Sequence, residues 1–266
     1  MKPASPVPLA RPPVAAVMTR LARAIEQHDL PAVEKIAQSR LDKAFQVLIG
    51  TLLSARTQDA TTDAASARLF AAAPTPERMA ALGAGEIEHL IYPVSFYRNK
   101  ARHVKATALA ILERFGGRVP ATMEELLTLP GVGRKTANLV LILAFGSREN
   151  ICVDTHVHRI ANRLGWVRTR TPEETEQALY RVAARRWWPD INLYLVVWGQ
   201  NVCRPVRPRC AACVVSRLCP RVGVSQPASG AEPSVRRREA QGTLRPAPLG
   251  TPPRSARRAS ASTRSR

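Results

Sequence analysis

Apolar residues recur at three- and four-residue intervals along most of the chain, the spacing of helices that bury one face. A first amphipathic helix is predicted over 14–28. After a break at Pro31, the run Ala44-Phe45-Gln46-Val47-Leu48-Ile49-Gly50-Thr51-Leu52-Leu53 is apolar nearly all round, which predicts a buried core helix. It empties into the polar corner Ser54-Ala55-Arg56-Thr57-Gln58-Asp59. Further helices are predicted over 60–70, 74–82, 85–92, 99–115, 123–129, 136–145, 172–187 and 191–202, with another starting after Asp154. No run alternates at period two for long enough to make a strand, so the predicted fold class is all-α.

Between two of these helices lies Leu129-Pro130-Gly131-Val132-Gly133-Arg134-Lys135. Pro130 pushes the residue before it out of the α region and so should end the first helix. Gly131 and Gly133 let the backbone turn tightly and approach another molecule without a Cβ in the way. The following helix begins with unpaired amide N–H groups and a positive dipole end, which together suit a phosphate. Lys135 falls in its first turn, where an amine gives up its proton more readily and becomes a nucleophile. Taken alone, the stretch fits an ordinary glycine-rich αα-turn with a surface lysine as well as it fits a nucleic-acid site.

Composition narrows the choice. Lys and Arg number 40 against 20 Asp and Glu among 266 residues, a net charge of +20, which points to a polyanionic partner. Since 34 of those 40 bases are Arg, a bias that genome composition also produces, charge alone argues only moderately for DNA. No window is long and apolar enough to span a membrane, and the N-terminal MKPASPVPLARPP lacks the apolar core of a signal peptide. The expected location is cytoplasmic. Residues 1–14 are Pro-rich, and 222–266 consist largely of Pro, Ser, Ala, Gly and Arg, with nine Arg and two Glu; both are predicted to be disordered. Four of the five cysteines fall within seventeen residues as Cys203-x6-Cys210-x2-Cys213-x5-Cys219, which suits a metal site better than a disulfide framework. By count alone, four thiolates serve zinc or an iron–sulfur cluster equally well.

With LPGVGRKTA, VDTHVHRI and that cysteine spacing in one order, the chain closely resembles the endonuclease III family of DNA glycosylase/AP lyases, from about Arg23 to Cys219. The resemblance implies a two-domain helix-hairpin-helix fold. Residues 37–147 would form a helical barrel with the hairpin at about 123–145, and 15–36 with 148–220 a cluster domain. Cys203, Cys210, Cys213 and Cys219 would hold a [4Fe–4S] cluster that braces a basic loop carrying Arg204, Arg207, Arg209 and Arg217. Lys135 would attack C1′ of a damaged pyrimidine nucleotide and cut the strand by β-elimination through a Schiff base. Asp154 would stabilise charge on the sugar or move protons, although an Asp there also suits a plain helix cap.

The partner implied is double-stranded DNA carrying damaged pyrimidines or abasic sites, bound by a monomer. DNA contacts are expected from Gly131, Val132, Gly133 and His156. Phe96, in the turn Pro93-Val94-Ser95-Phe96-Tyr97, stands at the family's apolar wedge position. Arg56 stands where the bacterial pattern has a Gln, with Gln58 two residues on, so either can fill the gap left by a flipped base. His158 is expected to be simply exposed, and Cys152 to be a small buried hydrophobe. Two other readings remain: a monofunctional glycosylase for mismatched or deaminated bases, and a non-catalytic DNA-binding module. The adenine-specific mismatch glycosylases that resemble this chain lack the lysine, so Lys135 favours the bifunctional enzyme.

Overall fold

A computed structural model describes residues 11–38 and 43–224, all within one compact unit, Met1–Ser225. The segments 1–10 and 225–266, which carry most of the predicted disorder, lie outside the described residues. The described residues form helices and turns with no strand, as the periodicity requires.

Eight helices build a first lobe: α2 (Ala32–Ile36), α3 (Lys43–Ser54), α4 (Asp59–Ala72), α5 (Pro76–Ala81), α6 (Ala84–Ile91), α7 (Tyr97–Phe115), α8 (Met123–Leu127) and α9 (Arg134–Phe145). The all-round apolar α3 runs through the core of this lobe, with Phe45, Val47, Leu48, Ile49 and Leu53 fully buried, and packs on α2, α4, α7 and α9. Truncating Leu48 to Ala there would cost about 2–5 kcal/mol. Helices α5 and α6 lie against the long α7.

A second lobe consists of α1 (Val14–Ile25), α10 (Thr155–Arg163), α11 (Pro172–Val182), α12 (Trp188–Asn201) and the cysteine loop after it. Its core centres on Trp166, fully buried, whose indole N–H donates to Pro12 O at 3.0 Å. The path therefore runs from α1 in the second lobe across to the first, and returns through 151–154.

Several boundaries differ from the sequence reading. Helix α2 packs with the first lobe, because Val33 joins that core and Gly50 of α3 admits Ile36 so closely that a Cβ there would lie 2.5 Å from Ile36 Cδ1. Only α1 of the N-terminal segment packs with the cluster side. The helix expected over 172–187 stops at Val182, gives way to a 3₁₀ turn at Arg185–Trp187, and restarts at Trp188 with Pro189 in the first turn, where a missing N–H costs nothing. Residues on both flanks are more ordered than their composition suggests. Arg11 Nε donates to Gly165 O at 3.3 Å, and Val222 N–H donates to Arg163 O at 3.1 Å, so the packed structure extends from 11 to 224.

Candidate active site

The hairpin between α8 and α9 is anchored from below and open above. Leu129 and Val132 are buried, and Thr107 Oγ1 donates to Pro130 O at 2.8 Å. Gly131 has φ +76°, and a Cβ there would lie 2.7 Å from His103 Nδ1, so both backbone and space demand glycine. Gly133 precedes α9 with no side-chain cap, and no acid stands in that helix's first turn. The helix end therefore keeps its positive character toward solvent. Val132 departs from the expectation of a DNA contact. Its amide donates to Leu129 O at 3.1 Å and its side chain is buried, which makes it the hairpin's anchor.

Lys135, the second residue of α9, is half-buried and lines a cavity of about 790 Å³ between the lobes. Asp154 lines the same cavity, on the segment that returns from the first lobe to the second. That segment is extended, so alternate side chains point to opposite sides. Ile151 and Val153 enter the second core while Cys152 enters the first. The Cys152 thiol donates to Lys135 O at 3.5 Å, and Asn192 Nδ2 donates to Cys152 O at 3.1 Å. The seam therefore ties the backbone beside Asp154 directly to that of Lys135. Cys152 is fully buried, and burial pushes its thiol up to about 12, so it is the small hydrophobe expected of it. Asp154 caps α10, with Oδ1 accepting from His156 N–H at 2.8 Å and Val157 N–H at 2.9 Å. Its direction into the cavity is fixed by that cap.

His156 also lines the cavity, but its Nδ1 accepts from Arg159 Nη2 at 3.0 Å and burial lowers its basicity. His158 turns inward rather than outward: its Nδ1 is hydrogen-bonded to Thr175 Oγ1 at 2.6 Å. Between the lobes Arg134 makes a bidentate pair with the buried Glu176 of α11, at 2.9–3.0 Å, and Gln200 of α12 donates to Asp59 Oδ2 at 2.9 Å. Both contacts join one lobe to the other.

The two wedge loops meet. Phe96 is 60% exposed, which rules out the core role its residue type would suggest, and the Arg56 guanidinium lies 6.0 Å from its ring centroid. Both residues sit in the left-handed region, at φ 57° and 55°, a conformation that costs a side-chain-bearing residue about 1–2 kcal/mol. Gln58, the residue before α4, lines the cleft with Lys135 and Asp154. The pair that shares one tip is thus Arg56 and Phe96. What holds the tip is Lys100 of α7, a residue that no local motif marks. Its buried ammonium donates to Leu53 O at 2.7 Å, Ala55 O at 2.6 Å and Thr57 Oγ1 at 3.0 Å. Thr57 Oγ1 in turn accepts from Ser95 N–H at 3.3 Å. Burial brings the Lys100 amine down to about 8. A second unanticipated residue, Glu34 of α2, lines the cavity with Lys135 and Asp154 and is only 8% exposed.

Cys203, Cys210, Cys213 and Cys219 are all free thiols, and they ring one small cavity with Val202, Ser216 and Val224. Donors already point at the sulfurs: Arg163 Nη1 to Cys203 Sγ at 3.4 Å, and Arg221 N–H to Cys219 Sγ at 3.4 Å. The buried Trp198 indole N–H lies against the Cys213 thiol, the kind of donor a metal-bound thiolate would accept. No three His, Cys, Asp or Glu side chains among the described residues close on a single ion-sized point. Four soft donors ringing a cavity, with N–H groups aimed at them, fit an iron–sulfur cluster. Arg204, Arg207, Arg209 and Arg217 are exposed, while Arg159 and Arg163 of α10 donate to the loop's carbonyls, including Cys203 O at 3.0 Å and Arg204 O at 2.7 Å. The cysteine loop therefore braces the helix that Asp154 caps.

Known proteins resemble this chain in sequence and in fold. Residues 49–185 match the HhH-GPD superfamily of base excision DNA repair proteins. The chain is 47% identical over 175 residues to the endonuclease III of Thermotoga maritima, covering 66% of this chain and 82% of that protein. It is 44% identical over 180 residues to the endonuclease III-like protein 1 of Mus musculus, covering 67% of this chain and 60% of that longer protein. Among solved structures, a trapped covalent intermediate of an endonuclease III with DNA superposes with a TM-score of 0.68 at 32% identity, over 77% of this chain and 93% of that one. A thermostable thymine-DNA glycosylase superposes with a TM-score of 0.64 at 25% identity, over the same shares. The hairpin, the cleft and these likenesses agree: the chain belongs to the endonuclease III family and is a base excision repair DNA glycosylase and abasic-site lyase.

Proposed function

We propose that the substrate is double-stranded DNA bearing an oxidised pyrimidine or an abasic site, and that Lys135 Nζ is the nucleophile. The observation that carries this reading is one inter-lobe cleft with Lys135 on the hairpin wall and Asp154 on the facing one. In this reading the amides ahead of α9 hold a phosphate, and Arg56 and Phe96 fill the space left by the extruded nucleotide. Lys135 attacks C1′ and the base leaves. The Asp154 carboxylate stabilises the positive charge that grows on the sugar. The resulting Schiff base acidifies C2′–H, and loss of that proton expels the 3′ phosphate. A solved endonuclease III–DNA covalent intermediate, beside a non-covalent complex, supports a covalent step on DNA.

Cys203, Cys210, Cys213 and Cys219 would hold a [4Fe–4S] cluster. When bound it supplies cross-linking of the loop that carries Arg204, Arg207, Arg209 and Arg217, and these arginines meet phosphates. The protein acts as a monomer on DNA. Duplexes with single defined lesions, scored separately for base release and strand cleavage, test the assignment. Release and cleavage should be greatest for oxidised pyrimidines, with cleavage alone at abasic sites. Excision confined to mismatched bases without cleavage would contradict it.

A further inference from the structure

Glu34 is a buried carboxyl of the cleft that comes from neither the hairpin nor the return segment. The short α2 is pressed onto α3 at Gly50, and that contact sets which way its side chains face. Lys35 turns outward and pairs with Asp63 of α4 at 2.9 Å. Glu34, its neighbour, turns inward to the wall shared with Thr51, Lys135 and Asp154. No side chain among the described residues donates a hydrogen bond to its carboxyl. The charged groups facing it are Lys135 from α9, Asp59 at the start of α4 and Asp154 ahead of α10. Helix α3 adds only the hydroxyls of Thr51 and Ser54 to the wall, and α12 adds Asn192 and Gln200.

A carboxyl shut away from water beside two others keeps its proton to higher pH than an exposed one. Burial, the largest cause, pushes Glu34 up to about 7, against the lowering pull of its own backbone N–H and of the Lys135 charge. Asp154 is held differently, with its Oδ1 accepting from two amides. The two carboxyls thus have different environments, the condition under which one serves as acid and the other as charge stabiliser. When the C1′–N bond of a pyrimidine nucleotide breaks, its electron pair goes to the ring, and the departing base needs a proton.

We propose that Glu34 is a second catalytic carboxyl, which protonates the departing base and then takes up the proton shed by the Lys135 amine. The step balances. The C1′–N bond to the base breaks as the C1′–Nζ bond forms, and the Glu34 O–H proton passes to the base. The secondary ammonium so formed returns a proton to the Glu34 carboxylate. No outside acid is needed. The proposal rests on Lys135 being the nucleophile, and its test is built to separate the two.

Full-length holoenzyme is compared with Glu34→Gln and Glu34→Asp in single-turnover assays on an oxidised-pyrimidine duplex and on a preformed abasic duplex, with borohydride trapping on the latter. Gln copies the shape of a protonated carboxyl but donates no acidic proton, so it should fold and melt no earlier than wild type. Base excision by Glu34→Gln should fall by about a hundredfold or more, while abasic-site cleavage and trapping change by less than about threefold. Wild-type excision should lose rate as pH rises through about 7, where Glu34 gives up its proton, and Glu34→Gln should lack that limb. Glu34→Asp should recover part of the excision. Equal losses on both duplexes, or unchanged excision by Glu34→Gln, would overturn the proposal. A wild type that cleaves abasic sites without trapping would bring down the lysine reading and this one with it.

Discussion

Asp154 holds two roles that substitution can separate, because the same carboxylate caps α10 and faces the cleft. Asn keeps an oxygen for the His156 and Val157 amides but has no charge. Asp154→Asn should therefore melt near wild type while base excision falls by about a hundredfold. Asp154→Ala loses the cap as well, and should be less stable by about 1 kcal/mol. Parallel melting curves and excision assays decide it. Should the Asn variant excise bases at the wild-type rate, Asp154 is a cap alone. Asp154 and Lys135 are legible in the sequence because their chemistry lies in local motifs: a lysine behind GVG, and an Asp ahead of a helix. Glu34 is not. It stands in a helix of only five residues with no readable period, and its burial comes from the packing of Ile36 on Gly50 and from a wall assembled by distant segments. The inward turn of His158 is hidden for the same reason, since Thr175 reaches it from another helix.

At the scale of elements, apolar spacing locates the helices because each buries a face. It blurs their ends where caps and prolines decide, as at the break between α11 and α12. It also misses the Lys100 clamp, which depends on α7 meeting the carbonyl end of α3. Three donors from one ammonium hold the strained tip that carries Arg56 and Phe96. Lys100→Met keeps the stem and removes all three hydrogen bonds. It should destabilise the protein by about 1–3 kcal/mol through the unmatched buried acceptors. Excision should lose kcat/KM on damaged duplex more than thermal stability alone explains, read under conditions where the variant is fully folded. Wild-type kinetics in a folded Lys100→Met protein would mean that the tip needs no such support. The cysteine loop is the other element with a test. Anaerobically purified protein should contain about four irons, without stoichiometric zinc. Cys213→Ser, or removal of iron, should lower the melting temperature and weaken DNA binding, since the loop braces α10. An active, colourless protein with one zinc would contradict the cluster assignment.

At the scale of the molecule, two hydrophobic cores meet along a cleft, and polar contacts fix their relation: Arg134 with Glu176, Gln200 with Asp59, and the Cys152 seam. Positive charge is carried by the cysteine loop and by the nine arginines of the C-terminal segment, which lies outside the described residues. The packed structure runs through Val224, so a truncation after that residue, not before Val222, separates fold from tail. Such a protein should melt as the full chain does. Its non-specific DNA affinity should depend less steeply on salt, the slope falling by about 0.9 for each phosphate that the tail arginines had neutralised. Aggregation or a lowered melting temperature would show that the tail packs on the fold.

The chemistry turns on Lys135 as the nucleophile, and one measurement reaches it directly. The protein is incubated with an abasic duplex and borohydride, the crosslinked product is digested, and mass spectrometry locates the modified residue. The sugar remnant should be found on Lys135, and Lys135→Gln should form no crosslink while still binding the duplex, because the phosphate-holding amides of the hairpin are backbone groups. An adduct on any other residue, or normal trapping by Lys135→Gln, would contradict that assignment.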